Sequence, residues 1–182
     1  MSESKKLVVV AGVAWDATSE PLWNQAKSLL EMPNVTLYLC HVVGHQSPNA
    51  ESVDIDRTMR QLLAWARERV NRDDPACDRI HLEVSIGDPA AELVQAAVDH
   101  DADLLLLGTH ARTGVAKLVL GSIAEQVLHA APCAVLIARP ADIERAKSPT
   151  VAPSVAGQKG FRPHGVRYRT SVVFSSADAI RS

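Results

Sequence analysis

Along residues 7–138, short runs of small or branched apolar residues alternate with segments whose apolar positions recur at helical spacing. This alternation limits the accessible folds more than any other feature. Leu7–Ala14 and Val35–Val43 read as buried strands rich in β-formers. Between them, Thr18 or Ser19 is placed to cap a helix that turns Leu22, Trp23, Ala26, Leu29 and Leu30 inward. After a polar stretch over 44–53, a second helix is marked by Met59, Leu62, Leu63, Ala66 and Val70. Ile80–Ile86 alternates apolar residues with His81, Glu83 and Ser85, which predicts an edge or half-exposed strand with one polar face. Asp88 and Pro89 then read as the N-cap and first residue of a third helix with Leu93, Ala96 and Ala97 on its inner side. Leu104–Leu107 is a strand buried on both faces, followed by a helix over Ile123–Ala130 and a fifth strand over Ala134–Ala138. The class is α/β: an open, doubly wound, five-stranded parallel sheet with helices on both faces. Ligands of such sheets settle at the C-terminal strand edge where strand order reverses, and Asp16 and Gly108 both follow strands at that edge.

With 182 residues, 47% of them hydrophobic, the chain is sized for one domain over 1–144 and an appendage over 145–182. Past Pro140 the periodicity stops, and KSPTVAPSVAGQKG has the composition of a linker. Arg167–Phe174, RYRTSVVF, has the content of one short strand that needs another surface to pair with. Residues 145–182 carry seven Lys/Arg and one acid, +6, which leaves −8 on the rest of a chain of net −2. The tail is therefore expected either to dock on the acidic body, adding a strand where an edge is free, or to remain a mobile basic extension. Nucleic acid is disfavoured as a partner because the body repels phosphate. The N-terminal apolar run is too short to span a bilayer, and the three cysteines lack metal-ligand spacing. A cytoplasmic protein with neither a membrane partner nor a bound structural metal is expected.

The stretch GTHARTGVAKLVLGS, Gly108–Ser122, leaves the four-leucine strand through a glycine-framed loop and enters a new helix. That layout offers backbone N–H groups to an anion. It also has a purely local reading, in which Gly121 turns the chain and Ser122 with Glu125 forms a capping box. Both readings stay open on these residues alone.

GTHARTGVAKLVLGSIAEQV with the following APCAVLIAR closely resembles the C-terminal half of universal stress protein domains. The likeness extends over residues 5–140, including VTLYLCHVV, GDPAAELVQAAVDHDADLL and an acid after the first strand. It implies a Rossmann-like nucleotide-binding architecture and ATP held by a Gly, two residues, Gly, nine residues, Gly-Ser/Thr pattern. In this chain the pattern reads Gly108, Ala111, Gly121-Ser122, so Ala111 is the single departure. The resemblance implies contacts from Gly108, Gly121, Ser122 and Ile123 to phosphate and ribose, from Asp16 to the adenine or ribose side, and from Val42 to the base. The Ala111 methyl is expected to weaken the site about tenfold, not to abolish it. ATP or another adenine nucleotide, with Mg as counter-ion, is the implied ligand, and pairing of fifth strands in a homodimer is the implied assembly.

His110 and Arg112 flank the loop and either meet a triphosphate or are solvated. Lys117 faces either phosphate or solvent, His41 reads as a satisfied core histidine, and Trp15 either borders the base pocket or, the favoured reading for a tryptophan at a strand end, packs against helices. Asp99, Asp101 and Asp103 lack the pattern of a calcium loop and read as a solvated turn. No nucleophile–base–orienter set emerges, which favours binding over catalysis; with it, the resemblance implies a binding or regulatory module acting in stress response. A nucleotide-free dimeric interaction module and a weak ATP-hydrolysing enzyme are the alternatives.

Overall fold

The computed structural model describes residues 6–44, 55–71, 73–109, 121–139 and 168–173. Its elements run β1 (Leu7–Gly12), α1 (Ser19–Leu30), β2 (Val35–Gly44), α2 (Ile55–Arg67), a 3-10 turn (Cys77–Arg79), β3 (Ile80–Gly87), α3 (Pro89–Asp99), β4 (Leu104–Gly108), α4 (Ser122–Ala130), β5 (Ala134–Ala138) and β6 (Tyr168–Val173). They form one six-stranded sheet in the order β5-β4-β1-β2-β3-β6. β1 to β5 pair in parallel, and β6 joins β3 antiparallel with Val84 opposite Thr170.

Alternation along each strand divides the core into two layers. Val9, Ala11, Leu37, Leu39, Leu82 and Leu106 pack on one side against Leu22 and Ala26 of α1 and Leu62 and Ala66 of α2. Val10, Cys40, Leu105 and Leu107 pack on the other against Leu93 and Ala97 of α3 and Val127 of α4. Both faces of β1 and β4 are covered, so their sequences are continuously apolar. Each fully buried leucine stabilises the fold by roughly 1.5–3 kcal/mol.

β3 departs from the expected edge position, because β6 pairs along its outer side. Its supposed polar face is buried as well. Glu83 is 4% exposed, and its Oε1 lies 2.6 Å from His100 Nε2 at the end of α3. The His100 ring stacks on Tyr38 at 3.7 Å, and Tyr38 also stacks on His81 at 4.5 Å. A charge buried with a hydrogen-bonded partner satisfies the same periodicity as an exposed one, which is why alternation alone misplaces this strand.

The helix ends are held by specific groups. Asp88 Oδ1 accepts from the Ala91 N–H at 2.9 Å, as its position before Pro89 predicts. At α1 the Thr18 side chain makes no cap. Asp16 Oδ1 instead accepts from the Thr18 N–H at 2.8 Å and the Thr18 hydroxyl at 2.5 Å, while the Ser19 hydroxyl donates to the Ala14 carbonyl. The other end of α1 is closed by Arg79, whose guanidinium donates to the carbonyls of Leu30, Met32 and Val35 at 2.8–2.9 Å. In the acidic run after α3, Asp101 takes the left-handed conformation (φ 49°) and Asp103 ties β4 to β1 through the Val8 N–H at 3.0 Å. These acids build a turn.

Candidate functional site

β1 and β4 are neighbours whose following connections run to helices on opposite faces of the sheet, α1 on one and α4 on the other, and a cleft of about 360 Å³ opens between them at the C-terminal edge. Asp16, Val42, Gly108, Gly121, Ser122 and Ile123 all line it. They come from the β1–α1 loop, the end of β2, the end of β4 and the start of α4. His110, Ala111, Arg112 and Lys117 lie outside the described residues.

The two loop glycines serve different purposes. A Cβ on Gly108 would lie 2.7 Å from both the Cβ and the carbonyl oxygen of Thr18, so only glycine lets β4 end against the start of α1. A Cβ on Gly121 would meet nothing within 4 Å among the described residues, and its backbone (φ −63°, ψ 155°) is open to any residue. Gly121 is therefore not needed to make the turn.

The capping box is not formed. Gly121 takes the extended N-cap position, which places Ser122 one residue inside α4, and among the described residues no side chain caps the helix. Glu125 belongs to the first turn, its N–H donating to the Gly121 carbonyl at 3.0 Å. The exposed Ser122 hydroxyl and the first backbone N–H groups of α4 thus border the cleft, carrying the positive end of the helix dipole.

Across the cleft, the His41 Nδ1–H donates to the Val13 carbonyl at 2.9 Å. A carbonyl only accepts, so Nδ1 carries the proton, and burial holds the imidazole below the ordinary histidine range despite that bond. His41 is a satisfied histidine, but one on the cleft wall. Trp15 overturns the favoured of its two sequence readings and agrees with the other, a place at the pocket border. It is 44% exposed, lines the cleft and packs on the His41 ring at 4.4 Å with a 36° tilt, where packing against helices was expected. No periodic signal marks such a residue, since it stands in a loop whose path depends on the Asp16–Thr18 turn.

Among the described residues, the lining carries one carboxylate, Asp16, and one imidazole, His41. Cys40 also reaches the lining, and its Sγ lies 3.7 Å from Glu83 Oε2 behind it. Asp16 Oδ1 is engaged at the α1 start and His41 Nδ1 at Val13, so these groups hold the wall in place. Apolar surface from Trp15, Val42, Leu93 and Ile123 meets backbone donors at α4, an arrangement suited to a flat apolar group joined to an anion. Among the described residues, no three His, Cys, Asp or Glu side chains are grouped to hold a metal ion, and no helix is long and apolar enough to cross a membrane.

The model of the universal stress protein family matches residues 5–139. Universal stress protein A homolog 2 of Coxiella burnetii is 33% identical over 148 residues, covering 76% of this chain and 97% of that protein. Among solved structures, a universal stress protein in complex with cAMP aligns with a TM-score of 0.52 at 23% identity, covering 75% of this chain and 98% of that one. The universal stress protein of Archaeoglobus fulgidus in complex with dAMP aligns at 0.50 and 17% identity, covering 72% and 97%.

Proposed function

The chain belongs to the universal stress protein family, and from that premise we propose that it is an adenine-nucleotide-binding regulatory module whose ligand is ATP, held in the cleft between β1 and β4. One observation carries the reading: six residues to which the family resemblance assigns nucleotide contact line a single cleft at the start of α4, where Gly121 offers no side-chain cap. The triphosphate lies against the N–H groups of Ser122 and Ile123 and the Ser122 hydroxyl, where the helix dipole favours negative charge. The base lies toward Val42 and Asp16. Two related folds carry cAMP and dAMP, which supports the adenine class. His110 and Arg112 follow Gly108 in the loop sequence and are the candidate donors to the phosphates from that segment, and the nucleotide brings Mg as its own counter-ion, since Asp16 is the one acid in the described lining. The protein works as a homodimer in the cytoplasm, pairing through β5, the apolar strand AVLIA at one border of the sheet.

Native mass spectrometry and thermal denaturation test this reading. The purified chain is expected to retain or take up ATP and to melt higher in millimolar nucleotide. An unchanged melting temperature with ATP, ADP and AMP would overturn it.

A further inference from the structure

We propose that Trp15 is a base-stacking residue, its indole forming the wall against which a purine ring lies and giving the site a preference for purine over pyrimidine nucleotides. This deepens the nucleotide reading and rests on it. Four large apolar side chains among the described residues are substantially exposed: Trp15, Met32, Val98 and Ile123. Two of them, Trp15 at 44% and Ile123 at 42%, line the same cleft. Scattered exposed apolar residues need no explanation, but an exposed tryptophan in a concave site beside helix N–H donors does.

The indole is also held before any ligand arrives. Its loop is fixed by the Asp16–Thr18 hydrogen bonds and by the Ser19 hydroxyl on Ala14, immediately before and after it. Behind it stands His41, whose ring is oriented by the Val13 carbonyl. One side of the indole is thus occupied by the imidazole, and its exposed area is left for the cleft. An aromatic surface fixed in this way takes a base with little ordering cost. Stacking on it is stronger for the larger purine ring.

The test uses the full chain, ATP and CTP as probes, and the variants Trp15→Ala and Trp15→Phe, each checked for folding by circular dichroism. Trp15→Ala is expected to weaken ATP binding about tenfold and CTP binding less, and Trp15→Phe to keep most of the ATP affinity. ATP should quench tryptophan emission in the parent but not in Trp15→Phe, where the remaining Trp23 and Trp65 pack edge-on at 6.0 Å away from the cleft lining. A folded Trp15→Ala that binds ATP as the parent does, or an equal loss for ATP and CTP, overturns the stacking role and leaves the nucleotide site standing. A parent chain that binds neither nucleotide overturns both.

Discussion

Gly108 and Gly121 frame one loop but answer to different neighbours, and substitutions separate fold from ligand. Gly108→Ala drives a methyl group into the backbone of Thr18. It is expected to cost about 1–3 kcal/mol of stability, read as a lower urea midpoint at unchanged slope. Gly121→Val meets none of the described residues within 4 Å of its Cβ and should move the parent melting temperature by less than about 2 °C. It should nevertheless remove the stabilisation by ATP, because the side chain stands at the cleft before α4; full ATP stabilisation in this variant would place the phosphates elsewhere. Arg79→Lys is expected to destabilise by about 1–2 kcal/mol, since an ammonium cannot reproduce the fork that spans three carbonyls. At this scale the sequence is legible where a residue acts locally, as with Asp88 before Pro89. It misleads where the partner is distant or the register slips by one: Ser122 carries the capping-box signature, but Gly121 takes the cap.

β3 and β6 show the same limit one level up. Polar alternation in Ile80–Ile86 marks a strand correctly but leaves its surroundings undetermined, because His100, the partner that makes Glu83 tolerable in the interior, lies beyond the next helix. The strand content of RYRTSVVF is equally visible, whereas its pairing with β3 depends on which border the sheet leaves open. Deleting residues 140–182 bares the outer side of an eight-residue strand. The shortened chain is expected to melt lower and to sediment as species larger than the full chain forms. Unchanged melting and sedimentation would mean that β6 contributes nothing to the body.

For the molecule as a whole, the fold class follows from periodicity because a parallel sheet covered on both faces requires continuous apolar strands, and β1 and β4 have them. The cleft was legible to the extent that strand order was, since its position is set by where the connections after β1 and β4 part to opposite faces of the sheet. Global stability also carries a pH signature. Burial lowers the pKa of His41, and burial with Lys6 and His100 nearby lowers that of His81. The unfolded chain then takes up protons first as pH falls through about 6.5, so these groups leave stability flat above that value and reduce it below. Urea midpoints measured from pH 7.5 to 5 should fall on the acid side, and His81→Phe should flatten the decline. The sheet's one antiparallel pairing has a further consequence during biosynthesis. Thr170 leaves the ribosome 86 residues after Val84, its ladder partner, an interval of about 4–17 s at ordinary elongation rates. Over the last 32 residues of that interval, about 2–6 s after Ala138 has emerged, β1 to β5 and the cleft can be complete while β3 waits uncovered, so crowded polysomes give neighbouring nascent chains their chance to pair at β3 before the chain's own last strand arrives.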